Sequence, residues 1–194
     1  MRKVKIYSVV SLEGYACDEH EGVDWLVETD IPRGIDFGIN RFFDEIGTVV
    51  MTRHFYSNMF ICECCHNFRD KHCVIVRTDI EGDIPGGGNE VEYVPFDTGF
   101  RAAKERIKEL IATEGGDIWV AGGIGLVGEL FDSGMIDEVF ITMVPVSLGS
   151  GIRLFPPSFR PAEWKTRTVR DYGNGYVQLI YQRKREQDDE VVVN

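Results

Sequence analysis

The chain has 194 residues, of which 43% are hydrophobic and 27% charged, a composition typical of globular proteins that fold without metal or disulfides. Its 21 basic and 32 acidic residues give a net charge of −11, which argues against nucleic-acid binding, because such binding depends on Lys and Arg neutralising phosphates. No apolar run approaches the roughly 20 residues of a membrane span, and the odd number of cysteines without an export signal favours a cytoplasmic protein with reduced thiols.

Strand-like and helix-like segments alternate along the chain. Short apolar runs predict strands at residues 4–10, 48–51, 73–76, 90–94, 117–121 and 138–146. Helices are predicted at residues 36–46, 54–60, 98–112 and 124–132, and the first and third of these show the clearest spacing of apolar residues by three and four. Two further strands, 164–172 and 176–183, flank Gly173-Asn174-Gly175, a turn signal for a β-hairpin.

This alternation indicates an α/β fold in which helices cover both faces of a mostly parallel sheet, and the final hairpin adds an antiparallel edge. Thr98 is expected to cap the helix at 98–112, and Gly115-Gly116 to end it. We expect a single domain over residues 1–185 and a disordered acidic tail over residues 186–194.

The segment Ile118 to Leu130 is the most informative one, because a buried strand runs into Gly122-Gly123 and then directly into a helix. Without side chains the backbone can approach a nicotinamide or a pyrophosphate closely. The helix that follows offers free N–H groups and a positive dipole end to phosphate. We therefore expect an open bed for a dinucleotide at this turn. The alternative is that the two glycines only turn a strand into a helix.

Residues 130–139, 144–151 and 154–155 (LFDSGMIDEV, VPVSLGSG and LF) continue the pattern. They resemble the C-terminal half of the reductase domain of riboflavin-biosynthesis deaminase-reductases and of the wider dihydrofolate-reductase superfamily. Three N-terminal segments agree with this resemblance: Ser11-Leu12-Glu13-Gly14-Tyr15 with Asp24-Trp25-Leu26, Val50-Met51-Thr52-Arg53-His54-Phe55-Tyr56, and Val76-Arg77-Thr78. The similar segments extend over residues 4–183, nearly the whole chain.

The resemblance implies a three-layer α/β/α dihydrofolate-reductase-like fold and an NAD(P)H-dependent oxidoreductase. NADPH is the expected cofactor, and a small pterin-like or pyrimidine-like heterocycle is the expected substrate. The chain lacks the zinc signature of the deaminase half, so it is expected to be a free-standing reductase. Similar proteins form homodimers, which the apolar strand Val139 to Val146 could support.

Cofactor contacts are expected at two places in the chain. By the resemblance, Arg53, His54, Arg77 and Thr78 would lie around the adenosine 2′-phosphate, for which a guanidinium fork is well matched. The pyrophosphate would lie at the second place, the turn formed by Ala121, Gly122, Gly123, Ile124, Gly125 and Leu126. The alternative for both arginines is that they are ordinary surface cations at strand ends.

The motif around Arg53 departs from the family pattern at three positions. Thr52 replaces a glycine, Phe55 a threonine near the pyrophosphate, and Val76 a serine near the 2′-phosphate. These changes could weaken cofactor affinity or the preference for NADPH over NADH. They leave open a non-catalytic nucleotide-binding module of the same fold.

Two carboxylates are candidates for the proton relay that hydride transfer to a C=N or C=O bond requires. Asp36 stands before the Thr52-Arg53 segment at an offset similar to that of the acidic residue of dihydrofolate reductase, and Glu13 takes the place of the family's strand-end aspartate. Asp36 is equally well explained as a helix-start carboxylate. The substrate is expected against Gly14, Tyr15, Trp25, Leu148 and Gly149, although core packing would also explain Tyr15 and Trp25.

The segment Cys62-Glu63-Cys64-Cys65-His66, followed by His72-Cys73, supports a second hypothesis. Cys62 and Cys65 have the spacing of zinc ligands, but no second Cys-x-x-Cys pair follows. We therefore expect no metal site, and a thiol- or metal-responsive regulator remains the alternative.

Overall fold

The computed structural model describes residues 1–27, 34–61, 70–77, 90–155 and 161–185. The predictions for Thr78, for the Cys62–His66 segment and for the tail at 186–194 therefore lie outside the described residues. The strands are β1 (Val4–Val10), β2 (Tyr15–Cys17), β3 (Ile46–Thr52), β4 (His72–Arg77), β5 (Val91–Pro95), β6 (Asp117–Gly122), β7 (Glu138–Met143), β8 (Ile152–Arg153), β9 (Trp164–Asp171) and β10 (Val177–Arg183). The helices are α1 (Asp24–Val27), α2 (Ile39–Glu45), α3 (Arg53–Ile61), α4 (Arg101–Ile111) and α5 (Ile124–Asp132).

Eight strands form one sheet in the order β5-β4-β3-β6-β1-β7-β10-β9. The six strands from β5 to β7 in this order are parallel, and β10 is antiparallel to both β7 and β9. The remaining two strands, β2 and β8, form a small antiparallel sheet. This confirms the mostly parallel mixed sheet with a C-terminal antiparallel hairpin. The carboxyl ends of β3, β4 and β6 lie side by side at one edge.

Alternate residues of the sheet enter two separate cores. On one face, α4 and α5 pack against residues such as Val50, Ile118 and Val120. On the other face, α2 and α3 pack against Val49 and Trp119, among others. Helices therefore cover both faces, and the three-layer arrangement is confirmed.

The long helix near residue 100 begins later than predicted. A single 3-10 turn covers Thr98–Phe100, Phe100 has a left-handed backbone, and α4 starts at Arg101. Thr98 is therefore not the cap, and the carboxylate of Asp97 instead accepts the N–H of Ala102 at 3.3 Å. The helix also ends at Ile111, before the glycine pair that was predicted to end it.

Gly116 has a different function from the one predicted, because it allows two backbone segments to meet. A Cβ on Gly116 would lie only 2.7 Å from the backbone nitrogen of Gly47. Its glycine identity therefore reflects a close approach to the start of β3. The short elements β2, α1 and β8 were not predicted, since two to four residues are too few for a hydrophobic period.

The strand proposed for dimer contacts lies in the interior of the sheet. β7 is hydrogen-bonded to β1 on one side and to β10 on the other, so it offers no free edge to a second chain. Edge-to-edge pairing of β7 with a second chain is therefore ruled out, and the homodimer, with Val139 to Val146 as its expected support, stays a prediction. Among the described helices, none combines the length and hydropathy needed to cross a membrane.

A buried lysine connects the amino ends of the parallel strands. The amine of Lys5, on β1, lies 2.6 Å from the carboxylate of Glu45, 2.7 Å from that of Asp117 and 3.6 Å from that of Glu138. Burial by itself would lower the pKa of Lys5, but hydrogen bonds to Asp117 and Glu45 outweigh it, and the pKa is raised. The lysine therefore stays charged and joins β1, α2, β6 and β7.

Candidate functional site

A cleft of about 420 Å³ lies at the carboxyl ends of β3 and β4. It is lined by the last residues of those two strands, by residues of α3 and by two aromatic residues that precede α4: Thr52, Arg53, His54, Ser57, Val76, Arg77, Phe96 and Phe100. Three residues predicted to hold the adenosine phosphate, Arg53, His54 and Arg77, are thus brought together in one cavity.

The two arginines reach the cleft because β3 and β4 are parallel neighbours in register. Thr52 pairs with Val76, so Arg53 and Arg77 each come one residue later at the same edge of the sheet. Arg77 is only 8% exposed, and its guanidinium lies 4.8 Å from the centre of the Tyr93 ring. Two guanidinium groups at one end of a cleft provide forked donors suited to a phosphate.

Phe96 and Phe100 form an aromatic wall of this cleft that sequence reasoning missed. Their ring centres are 5.0 Å apart in an edge-to-face arrangement, and Phe96 is 46% exposed. Such an exposed ring offers a planar apolar surface to a base. The signal in the sequence was an aromatic pair between the end of a strand and the start of a helix.

Helix α5 begins at the side of the same cleft. A Cβ on Gly125, in its first turn, would lie 3.5 Å from the Phe100 ring. Gly123 is the N-cap residue with φ of 92°, and no side chain caps the helix. The first turn of a helix has N–H groups without intrahelical partners, and anion binding by Gly123, Ile124, Gly125 and Leu126 stays a prediction.

The glycine turn itself is filled rather than open on one side. A Cβ on Gly122 would lie 2.0 Å from Cδ2 of Phe55, and a Cβ on Gly123 would lie 2.3 Å from Cγ2 of Thr52. The absent side chains therefore make room for Phe55 and Thr52, two of the residues that depart from the family motif. This differs from the expected open bed and narrows the place where a pyrophosphate would meet the turn.

Thr52 also caps α3. Its hydroxyl oxygen accepts the backbone N–H of Phe55 at 3.4 Å, the N-cap to N3 pattern. The chain thereby satisfies one of the free N–H groups at the start of α3 with its own side chain.

An ion pair connects α3 to the loop that follows β2. Nε2 of His54 lies 2.7 Å from the carboxylate of Glu21, and both side chains are exposed. The loop that follows β2 is thus joined by an ion pair to α3, the helix that carries Arg53.

Glu13 connects the two loops that were expected to surround the substrate. Its carboxylate accepts hydrogen bonds from the Ser11 hydroxyl at 2.7 Å and from the backbone N–H groups of Leu148 and Gly149 at 3.2 Å each. The Ser11 hydrogen bond and the backbone donors lower the pKa of Glu13 to about 2. Glu13 is therefore ionised at neutral pH and acts here as a link between loops.

Asp36 has the geometry of a helix-start residue. It is exposed, and its carboxylate accepts the N–H of Gly38 at 2.9 Å and that of Asn40 at 3.4 Å. The Gly38 hydrogen bond in particular lowers the pKa of Asp36. An ionised carboxylate that already accepts two hydrogen bonds is a poor proton donor, so the geometry favours the helix-start interpretation.

The two aromatic candidates for substrate contact differ in position. The Tyr15 ring lies beneath the guanidinium of Arg153, 4.9 Å from ring centre to Cζ. Trp25 is buried in a cluster with Val144 and Tyr176, which favours the core-packing alternative. In the described part of the chain, neither Nε1 of Trp25 nor the hydroxyl of Tyr176 has a hydrogen-bond partner.

The described residues contain no cluster of three or more His, Cys, Asp or Glu side chains able to hold a metal ion. Cys17 and Cys73 are both buried. The Cys62–His66 segment lies outside the described ranges, so its metal or thiol hypothesis stays a prediction.

Comparisons with known proteins identify a family and a fold for this chain. The family model for the RibD C-terminal domain matches residues 91–178. The uncharacterised protein YwjB of Bacillus subtilis (strain 168) is 32% identical over 183 residues, which cover 94% of this chain and 98% of that protein.

Two solved structures share the fold. A protein from Shewanella sp. PV-4 named for riboflavin biosynthesis has a TM-score of 0.78 at 22% identity, covering 94% of this chain and 99% of that one. Dihydrofolate reductase from Enterococcus faecalis, solved with NADP(H), has a TM-score of 0.61 at 16% identity, covering 94% and 97%. The chain belongs to the RibD C-terminal domain family and has a dihydrofolate-reductase-like fold.

Proposed function

We propose that the protein is an NADPH-dependent reductase of a small heterocyclic substrate. The observation that carries this proposal is the placement of Arg53 and Arg77 in one cleft, beside an exposed aromatic wall and the start of α5. This combination suits the phosphorylated adenosine end of NADPH, since the arginines match a phosphate and the Phe96 ring matches a base.

The residues fit one part of the cofactor better than another. The cleft has room and charge for the adenosine 2′-phosphate, and the uncapped first turn of α5 has N–H donors for the bridging phosphates. At Gly122, in contrast, Phe55 already occupies the space beside the backbone. When bound, the nicotinamide would supply the hydride, and the chain would supply binding and orientation.

We propose that the substrate lies against Gly14, Tyr15, Leu148 and Gly149, the loops that Glu13 holds together. The lowered pKa of Glu13 argues for a positioning role in these loops rather than for proton donation. Arg153 above the Tyr15 ring adds a cation that could attract an anionic substituent of the substrate.

Titration with NADPH and NADH, followed by tryptophan fluorescence and thermal shift, tests the proposal. Ligand binding to the folded state raises the melting temperature. Arg53→Ala is expected to weaken NADPH by about 10–100-fold, the loss for charged hydrogen bonds, and NADH far less. Arg41→Ala, which removes a 77% exposed arginine of α2, is the matched control and should change neither affinity. Equal losses for both nucleotides in Arg53→Ala would remove the 2′-phosphate assignment.

A non-catalytic nucleotide-binding module is the second candidate, and the filled glycine turn favours it. Such a module would bind nucleotide but would not oxidise NADPH with any pterin or aminopyrimidine substrate. Measuring NADPH oxidation by the loss of its nicotinamide absorbance, against a panel of such heterocycles, distinguishes the two functions.

A further inference from the structure

We propose that Phe55 is a gate residue that opposes seating of the dinucleotide's bridging phosphates on Gly122. The wild-type cleft then obtains its affinity mainly from the phosphorylated adenosine end of its ligand. This inference rests on the proposed function and names a determinant of nucleotide selectivity within the same site.

The contact between Phe55 and Gly122 is the first argument. The Phe55 ring occupies the space that a Cβ atom at position 122 would need. Three atoms of the ring lie within 2.3 Å of the place where that Cβ would be. A phosphate group needs the same space if it is to contact the Gly122 backbone from this side. The ring must therefore move before the phosphate can make that contact.

Thr52 holds the ring's backbone in place. The Thr52 methyl group lies against Gly123, and the Thr52 hydroxyl accepts the Phe55 N–H. Movement of Phe55 away from the turn thus competes with a helix cap as well as with apolar packing. The Phe55 ring also packs against the core cluster that contains Met51, Tyr56 and Trp119.

The adenosine end of the cleft is independent of this ring. The residues that line the cleft come from the end of β3, from α3, from the end of β4 and from the segment between β5 and α4, and Phe55 is not among them. A ligand that carries only the adenosine and its phosphates can occupy the cleft whatever the position of the Phe55 ring. The Phe55 ring therefore opposes binding of the bridging phosphates but does not oppose binding of the phosphorylated adenosine.

Affinities for two ligands in matched variants test the gate. Adenosine 2′,5′-bisphosphate represents the cleft end alone, and NADPH represents the whole dinucleotide. Isothermal titration calorimetry on wild type, Phe55→Thr and Thr52→Gly/Phe55→Thr gives both dissociation constants.

Phe55→Thr is expected to strengthen NADPH binding by about tenfold, in line with the free energy of packing part of a phenyl ring, and to change the bisphosphate affinity by less than about twofold. Phe96→Thr is the matched control, because it removes an aromatic ring from the cleft itself. It should weaken both ligands by similar factors. An unchanged NADPH affinity in Phe55→Thr, or equal gains for both ligands, would overturn the gate.

A stability measurement that needs no ligand tests the packing on which the gate depends. Gly122→Ala should lower the melting temperature in the wild-type background, since its Cβ would overlap the Phe55 ring. In the Phe55→Thr background the same substitution should have a much smaller effect. Equal destabilisation in both backgrounds would contradict the contact.

The outcomes also separate this inference from the proposed function. If neither ligand binds to any variant, the nucleotide-binding function is wrong and the gate falls with it. If both ligands bind and Arg53→Ala weakens them, but Phe55→Thr leaves their ratio unchanged, the function stands and the gate alone is overturned.

Discussion

The two ends of the parallel strands use positive charge in opposite ways. At the amino ends, Lys5 is enclosed by carboxylates of three other elements. At the carboxyl ends, Arg53 and Arg77 line a cleft beside the start of a helix. The comparison teaches that positive charge alone does not mark a ligand site, because carboxylates fill the surroundings of Lys5, whereas the two arginines border an open cleft. It also agrees with the general rule that ligands bind outside the carboxyl ends of parallel strands.

The largest expected effect concerns Lys5, at the amino ends of the parallel strands. Lys5→Met would leave the carboxylates of Glu45, Asp117 and Glu138 without their shared cation, so we expect unfolding free energy to fall by about 3–5 kcal/mol. Urea denaturation measures this loss. Lys3→Met is the control, because Lys3 is 45% exposed and, among the residues that the structure describes, pairs with Glu138 alone; it should cost less than about 1 kcal/mol. Equal losses in both variants would break the comparison.

The pH dependence of that loss gives a further check. Because the pKa of Lys5 is raised in the folded state, its contribution is fully present below the ordinary lysine value of about 10.4 and is lost as pH rises through the folded value. The stability difference between wild type and Lys5→Met should thus be constant from pH 6 to about 9 and shrink above about 10.4.

The next largest effect concerns Arg77, at the carboxyl ends of the parallel strands. Arg77→Met should weaken NADPH by about 10–100-fold through loss of charged hydrogen bonds, and the lost contact with Tyr93 should cost about 1 kcal/mol of stability. Arg77→Lys keeps the charge without the fork and should fall between wild type and Arg77→Met. Calorimetric titration measures the three affinities. A stability loss as large as that of Lys5→Met, with unchanged affinity, would make Arg77 a structural cation like Lys5.

A smaller effect is expected at the loops that Glu13 connects. Its pKa is lowered in the folded state, so its stabilisation is present above the ordinary glutamate value and is lost as pH falls from there to about 2. Wild type should therefore lose stability in this range more steeply than Glu13→Gln, as measured by thermal melts at successive pH values. Parallel curves for the two proteins would show that the Glu13 hydrogen bonds do not contribute to folding.

The smallest effect concerns the start of α5. Gly125→Ala should raise unfolding free energy by about 0.5–1 kcal/mol, since the nearest atom to its Cβ, on Phe100, is at an ordinary contact distance of 3.5 Å. Its NADPH affinity should nonetheless fall, because a methyl group limits approach to the first-turn N–H groups. Unchanged affinity would show that the nucleotide does not approach Gly125 closely.

The central strands β3, β4 and β6 could be predicted from the sequence because they are buried on both faces and appear as continuous apolar runs. Helix α5 was predicted with the correct bounds, since glycines precede it and its apolar residues recur at helical spacing. The very short elements β2, β8 and α1 could not be predicted, because contacts between distant loops, not local pattern, hold two to four residues in place.

The sequence predicted some features of the candidate site and missed others, because some of them depend on contacts between segments distant in the chain. A family motif pointed to Arg53 and Arg77, and the structure places both in one cleft. The filling of the glycine turn depends on how Thr52 and Phe55 pack against a strand distant in sequence, which no local pattern reveals. The hydrogen bonds that lower the pKa of Asp36 come from backbone N–H groups, whose positions follow from loop geometry. Those that lower the pKa of Glu13 come from the Ser11 hydroxyl and from backbone N–H groups of a distant loop.

The placement of β10 against β7 has a consequence for synthesis of the chain. Until residues 177–183 have left the ribosome, β7 presents a row of unpaired N–H and C=O groups along one side. A nascent chain, or one truncated before Trp164, would expose this unpaired edge of β7, which can form strand pairs with a second copy of the chain. Release of the last strand thus completes protection against aggregation, and nonsense mutations late in the reading frame should yield insoluble rather than merely inactive protein.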